Sequence, residues 1–457
     1  MMDIEKTQIV IIGAGLTGLT LAYYLKKQGK DVLIIEKTDK TGGVIQTENH
    51  NDFIYETGPN TGVVGNPEVA ELFEELEGLC TFEAANTDAK RRLIWKKDKW
   101  HAIPSGMVSA IKTPLFTLND KFRVLGEPFR KKGTNANETL SEFVKRRLGT
   151  SFLNYAVDPF ISGVYAGDPN YLITRFALPK LYALEQNYGS FIKGSINKAK
   201  ERKHNLRLQK ATREVFSVQG GLKNLINALT EKVGANNILL NVKNTSIKPT
   251  TKGFEISTTI NNETIIIHSK KVITTTGGYE LKNLLPFLSD EELAPFEELK
   301  YASVVQAIVG YKNWEGIKLN AFGGLVPTIE HRDILGVLFN SSFLNGRSPK
   351  NGALLSVFLG GTKRPDIYEM NDEDLTEIVS RELLQMMKIH SFKPDLFKIF
   401  RYKNAIPQYG LSTEKRYETI DQIQQKYPGL VLAGNIRNGI GMADRIKQAR
   451  TIAEELF

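Results

Sequence analysis

Apolar and polar positions follow two regimes along this chain. Ile9–Ile12 is an unbroken apolar run, the pattern of a strand buried on both faces. Leu16–Gln28 then sets Leu19, Ala22, Tyr23 and Lys26 at helical spacing and stops at Gly29. Val32–Ile35 is a second apolar run. Strand, helix and strand this close together predict a βαβ unit on a parallel sheet. The polar start, Met1–Gln8, and the shortness of Ile9–Ile12 fit a first strand rather than the apolar core of a signal sequence.

From Arg91 to Lys210 alternation fades and helical stretches separated by Pro and Gly are predicted, among them Leu140–Leu148 and Phe152–Val157. The α/β pattern returns after Val218. A helix is predicted over Gly221–Val233, and strands over Ile238–Val242, Phe254–Thr259, Thr264–His268 and Lys271–Thr275. Further strands are predicted at Val304–Tyr311 and Ala353–Leu359, and Leu430–Phe457 reads as strand, glycine-rich turn and helix. The first and last segments look like parts of one domain, so the fold class expected is α/β with a discontinuous nucleotide-binding domain.

A fingerprint sits on the first of these units. Gly13-Ala14-Gly15-Leu16-Thr17-Gly18 follows the first strand and opens the first helix, and Glu36 ends the second strand. Gly13 allows the tight turn, Gly15 lets a pyrophosphate approach the backbone, and Gly18 lets helix and strand pack closely. The helix start offers free N–H groups and a positive dipole end, and Glu36 would accept ribose hydroxyls. Thr41-Gly42-Gly43 follows, read alone as a β-turn or as a close passage beside the cofactor. A second cluster, Gly434-Asn435 and Gly439-Ile-Gly441-Met442-Ala443-Asp444, precedes another helix. A second helix start in the same domain serves a flavin ring and has no use in an NAD domain, so FAD is the expected cofactor.

These segments, with others in order along the chain, resemble the oxygen-dependent, FAD-containing protoporphyrinogen oxidase family. The others are Gly58-Pro59-Asn60, Arg146–Gly149, Ser162–Asp168, Glu185-Gln186-Asn187 with Gly189-Ser190, Phe216–Leu222, Phe322–Pro327, Gly360-Gly361 and Ile406–Tyr409. The stretch Glu185–Ser190 is similar to plant-type members. Gly410-Leu411 stands where the family usually has Gly-His.

The resemblance implies a glutathione-reductase-type FAD domain (1–86, 214–296 and 416–457), a mixed α+β substrate domain (87–99 and 297–415) and an inserted, membrane-facing helical domain (100–213). It implies oxidation of protoporphyrinogen IX to protoporphyrin IX in haem synthesis, by repeated hydride transfer to FAD with O2 as acceptor. Arg92 would bind a propionate; Phe322, Leu325 and Phe358 would sandwich the macrocycle; Gly163, Val164, Ala166 and Gly167 would form a pocket wall; Asn60 would lie near flavin and substrate. FAD would be held by Gly13–Gly18, Glu36, Lys37, Gly42, Gly43, Gly58, Pro59, Asn60, Asn244, Gly434, Asn435, Gly441, Met442 and Ala443. Without the resemblance, Arg92 is equally a surface cation, the three apolar residues are core, Gly163–Gly167 is a helix cap and Asn60 forms an Asx-turn.

Composition narrows the rest. Of 457 residues 41% are hydrophobic and 24% charged, as in ordinary soluble proteins. A single cysteine, Cys80, excludes an intrachain disulfide and fits a cytoplasmic setting. The net charge of +9 favours an anionic partner, but no nucleic-acid motif is present. Met107–Phe129, followed by Arg130-Lys131-Lys132, reads either as an interfacial segment on the inner face of the cell membrane or as a surface loop. No metal is expected; ferrochelatase or a second copy is a possible partner. Two other readings stand beside the first: coproporphyrinogen III oxidation within the same family, and a GDI-like binding protein that uses the fold without flavin.

Overall fold

The computed structural model describes residues 2–456; Met1 and Phe457, at the edges of the expected first and last segments, lie outside them. Two seven-stranded sheets organise the described residues. The first runs Ile238–Leu239, Val32–Ile35, Met2–Ile12, Glu263–Thr274, Gly253–Ile260 and Lys243–Thr250, with Leu430–Leu432 paired to Glu263–Thr274. Its strands are parallel from Ile238–Leu239 across to Glu263–Thr274, and antiparallel beyond. Ile9 and Ile11 point to one layer of helices, Leu16–Lys27, Lys223–Val233 and Met442–Glu455. Val10 and Ile12 point to the other side, against Leu281, Leu293, Phe296, Ile420 and Ile423. Two covered faces explain why these strands carry no polar alternation.

Glu263–Thr274 is one strand where the pattern predicts two. It changes partner midway. Residues 263–269 pair antiparallel with Gly253–Ile260, and Val272–Thr274 pair parallel with Leu430–Leu432. The first half alternates because one face is open, and the second half is buried on both faces. Exposed Lys270 marks the change and mimics a break.

The second sheet runs Leu396–Pro407, Tyr301–Tyr311, Ala353–Gly360, Gly336–Leu338, Gly323–Leu325, Arg92–Lys96 and Lys99–Ala102. Arg92–Ala102 therefore opens as a hairpin, not as part of the helical stretch expected from Arg91. Its turn residues, Lys97 and Asp98, both have positive φ (50° and 57°), a geometry for which Lys-Asp is a poor sequence signal. Helix Asp372–Met386 covers one face, with Leu375, Val379 and Leu383 packed on Leu355, Val357 and Leu359. The opposite face meets Glu56–Asn60: Gln306 Nε2 donates to the Glu56 carbonyl at 3.0 Å, and Ser356 Oγ donates to Asn60 Oδ1 at 2.9 Å.

Helices between Met107 and Gln209 form a third body around Leu140, Phe143, Val144, Leu153, Ile161 and Phe191. The expected helices are present as Leu140–Arg147 and as Thr150–Phe152 running on through a π-helical Leu153–Val157. No helix of the described residues is long and apolar enough to cross a membrane.

Candidate functional site

The glycine turn divides its labour between folding and an open cradle. Gly13 has φ +106°, and a Cβ there would lie 2.8 Å from Thr275 Oγ1. A Cβ on Gly18 would lie 2.0 Å from the Gly13 carbonyl oxygen. Both glycines are demanded by the fold itself. Gly15 is not: its φ of −73° suits any residue, and a Cβ there meets no atom within 4 Å. The helix it opens has no side-chain cap and no acid in its first turn, where Leu16 and Thr17 are buried. Uncapped N–H groups beside open space form the cradle that a pyrophosphate requires. Gly42 and Gly43, at φ +102° and +57°, carry the next turn across it, with Gly42 N–H donating to the Ala14 carbonyl at 2.8 Å.

Glu36 is buried and already employed. Oε2 accepts from Ala14 N–H at 2.8 Å, and Oε1 accepts from Thr38 N–H and Oγ1 at 2.9 and 2.8 Å. The acid braces the turn, and its remaining lone pairs suit ribose hydroxyls. Lys37 turns away to Glu280, at 2.5 Å. Asn244 is exposed at φ +51° on Lys243–Thr250; the neighbour that reaches Glu36 is Val242, whose N–H donates to the Glu36 carbonyl at 3.0 Å.

The second glycine cluster is held by residues that spacing does not reveal. Gly434 has φ +87°, Asn435 Oδ1 is buried without a partner among the described residues, and Gly441 caps the helix beginning at Met442 and Ala443. Arg445 reaches back to the Gly434 carbonyl and donates to the carbonyls of Arg437, Asn438 and Gly439 at 2.8–3.0 Å. Arg416 donates to the Ile436 carbonyl at 3.0 Å, and Tyr409 Oη donates toward the Asn435 and Gly439 carbonyls at 2.8 and 3.0 Å. Burial lowers the pKa of both arginines and raises that of Tyr409. Asp444 Oδ2 accepts from Gly441 N–H at 3.2 Å, so this helix start carries an acid that the first one lacks. The only obvious sequence signal for the bracing residues is Tyr409, in Ile406–Tyr409.

The expected substrate residues converge on the face of the second sheet opposite helix Asp372–Met386. Gly323 lies opposite Arg92, Leu325 opposite Ile94, and Gly336 opposite both Leu325 and Phe358. Period-two alternation therefore puts Arg92, Leu325, Ser356 and Phe358 on one side. Arg92 is exposed, pairs with no acid among the described residues, and stands 5.7 Å from the Phe322 ring centroid. Phe322 leans on Phe343, with centroids 4.2 Å apart. Leu325 rests on Gly163, where a Cβ would lie 2.3 Å from Leu325 Cδ2. Phe358 packs in one cluster with Ala166, whose φ of +47° ends helix Asp158–Tyr165. Gly167 abuts Gln408 Oε1, and Val164 is exposed and does not share the Gly163–Leu325 contact. Across from this face, Gly58 is pinned 2.0 Å (as a Cβ) from the Val44 carbonyl, Pro59 follows, and Asn60 is buried with Nδ2 donating to the Gly58 carbonyl at 3.0 Å.

The helical body has charged groups in its interior and apolar ones on its exterior. Arg146, Arg147, Glu185 and Ser190 belong to a largely buried ionic network. Arg146 is bidentate to Glu138 (2.8 and 2.7 Å) and to Glu185 (2.8 and 3.1 Å); Arg147 pairs with Glu127 and donates to the Gly189 carbonyl at 2.9 Å. Ser190 Oγ donates to Glu127 at 2.6 Å. Outside it, Val108, Ile111, Leu118, Phe122, Leu125 and Phe129 are exposed, Phe129 to 89%. Lys112, Lys121 and Arg123 lie among them.

The model of the family described as flavin containing amine oxidoreductase matches residues 16–456. Protoporphyrinogen oxidase 2, chloroplastic/mitochondrial, of Arabidopsis thaliana is 27% identical over 97% of this chain and 92% of its own. Coproporphyrinogen III oxidase of Staphylococcus aureus is 26% identical over 98% of both. A crystal structure from Exiguobacterium sp. 255-15 superposes with TM-score 0.81 over 98% of both chains at 24% identity, and reduced UDP-galactopyranose mutase with 0.74 over 98% and 95% at 16%. The uncapped cradle at Gly15 suits the dinucleotide such proteins carry, which sets aside a flavin-free binding role. With the match spanning nearly every residue, the chain belongs to the flavin-containing amine oxidoreductase family and is an FAD-dependent oxidoreductase.

Proposed function

We propose that this enzyme oxidises protoporphyrinogen IX to protoporphyrin IX in haem synthesis. The observation that carries the reading is the residue set on the face of the second sheet opposite helix Asp372–Met386. It joins an acid-free Arg92 to an apolar slot of Phe322, Leu325 and Phe358, opposite Gly58–Asn60. A flat, carboxylate-bearing macrocycle matches that combination. Names of full-length relatives support the same substrate class.

Bound FAD supplies two-electron acceptance, so three successive oxidations remove six electrons. The residues present supply binding and orientation. The helix start at Gly15 and the acid Glu36 would hold the pyrophosphate and ribose, and the 434–441 loop would carry the flavin end. Arg92 would anchor a propionate while Phe322, Leu325 and Phe358 keep water from the slot and set which edge faces Asn60. The product is aromatic, so little acid–base assistance is needed. In this reading residues 1–86, 214–296 and 416–457 serve FAD, 87–99 and 297–415 serve substrate, and 100–213 dock the enzyme peripherally on the cytoplasmic face of the cell membrane. The exposed apolar side chains with interleaved cations support that docking.

Purified protein supplied separately with protoporphyrinogen IX and coproporphyrinogen III, with porphyrin fluorescence and O2 uptake followed together, tests the proposal. The higher kcat/KM is expected for protoporphyrinogen, with O2 consumed. A clear preference for coproporphyrinogen III overturns the choice of substrate. Co-sedimentation with anionic vesicles tests the docking: Phe122→Asp and Leu125→Asp should each reduce it, and unchanged binding rules it out.

A further inference from the structure

A chain of buried amides runs from Gly58 through Asn60 to Asn340 and ends on an atom without a partner among the described residues. The Gly58 carbonyl needs a donor, which fixes Asn60 with Nδ2 toward it. Asn60 Oδ1 then faces donors only: Ser356 Oγ at 2.9 Å and Asn340 Nδ2 at 2.5 Å. The orientation of the Asn340 amide follows, since its nitrogen must face Asn60. Asn340 Oδ1 is left over, in a residue 2% exposed, with no donor among the described residues. A buried acceptor left empty costs about 1–3 kcal/mol, which a donor on a bound molecule would recover.

Its position ties this atom to the slot. Asn340 opens the short helix Asn340–Phe343, whose Phe343 ring supports Phe322. The preceding residue, Phe339, donates its N–H to the Phe322 carbonyl at 3.0 Å. Asn340 is thus fixed between the aromatic wall near Arg92 and the Gly58–Asn60 segment opposite.

We propose that Asn340 Oδ1 accepts a hydrogen bond from a pyrrole N–H of the macrocycle, a role that presupposes a porphyrinogen as substrate. All four nitrogens of a porphyrinogen carry hydrogen. Its centre therefore offers donors only, and an acceptor is the group that can meet it. The fully oxidised porphyrin has two bare nitrogens, whose lone pairs face an amide oxygen unfavourably. One orphaned acceptor thereby favours the reduced ring over the product.

The test uses the holoenzyme with protoporphyrinogen IX as substrate and protoporphyrin IX as product inhibitor. Asn340→Leu keeps the volume and removes the acceptor; Asn340→Ala serves in its place should leucine prevent folding. Ser356→Ala removes the other donor to Asn60 and leaves Asn340 Oδ1, so it measures the effect of Asn60 placement alone. The expected result is a KM raised about fivefold in the Asn340 variants, more than in Ser356→Ala, with a smaller change in the inhibition constant of the product. FAD content and the visible flavin spectrum should match the parent. Equal effects in Asn340→Leu and Ser356→Ala, or equal changes in KM and product inhibition, overturn the proposal. So does loss of flavin or a shifted flavin spectrum, which would assign the donor to the cofactor. A parent enzyme that turns over no porphyrinogen defeats the substrate reading itself, before any variant is compared.

Discussion

Gly15→Val separates the cradle from the fold. At Gly15 the backbone is extended, φ −73° and ψ −179°, and a Cβ contacts no atom within 4 Å. Valine there restricts the unfolded chain, a gain of about 0.4–1 kcal/mol, and is a poorer N-cap by a similar amount. The two offset, so the protein without cofactor should melt within a few degrees of the parent. Flavin binding should respond differently. The new side chain occupies the space from which a pyrophosphate reaches the uncapped N–H groups. Losing two charge-assisted hydrogen bonds costs about 3–6 kcal/mol, a Kd weaker by roughly two to four powers of ten. The variant should therefore purify colourless, and added FAD should raise its Tm far less than the parent's. Gly18→Ala is the contrast: its Cβ would lie 2.0 Å from the Gly13 carbonyl oxygen, so it should lower Tm even without flavin. Thermal melts with and without FAD, and flavin absorbance of the purified proteins, decide the matter. A yellow Gly15→Val protein with parental Kd refutes the reasoning.

Arg92→Ala should raise KM at least tenfold with flavin content unchanged, Arg92→Lys should recover part of the loss, and neighbouring Arg91→Ala should be near neutral; steady-state kinetics check all three. Arg147→Ala should cost about 3–5 kcal/mol in denaturant unfolding, because it strands the fully buried Glu127. Burial pushes the Glu127 carboxyl up, but Ser190, the Phe191 amide and Arg147 hold it below the usual carboxylate range. A depressed folded-state value contributes stability that is complete above the unfolded value of about 4.3 and is lost as pH falls through the folded one. Glu127→Gln should therefore melt lower at neutral pH and lose less on acidification, as read by Tm against pH.

The parallel core was legible because both of its faces are covered, which turns buried strands into unbroken apolar runs such as Ile9–Ile12. The cradle was legible because glycine there serves geometry at fixed spacing. Three things were not. The Arg92–Ala102 hairpin turns on Lys97 and Asp98, which carry no turn signature. The partner change at Lys270 is a matter of tertiary pairing, and local pattern reads it as a gap. Arg416 and Arg445 brace the 434–441 loop through backbone carbonyls, so nothing in residue type at the contacted positions reveals them.

Glu185–Ser190 shows where a sequence likeness stops informing on substrate. Glu185 is occupied by Arg146 and Arg147, the Gly189 carbonyl by Arg147, and Ser190 by Glu127 and the N–H of Lys193. Every one of these polar groups is spent inside the helical body. Glu185, the Gly189 carbonyl and Ser190 are therefore not available to distinguish two carboxylates on a macrocycle from four. What the stretch reports is how these helices pack, a property that relatives with different substrates can share. A reader of carboxylate number must be a cation free to pair, and beside the slot Lys90, Arg91 and Arg92 form no ion pair within the protein among the described residues. Arg92 alone of the three lies on the strand register that leads to Leu325 and Phe358. In the proposed reading, one unpaired arginine on that register, with a lysine and a second arginine at its edge, suits a substrate whose carboxylates gather on one side, as the two propionates of protoporphyrinogen IX do. A ring with carboxylates on every side would leave some of them against the apolar wall.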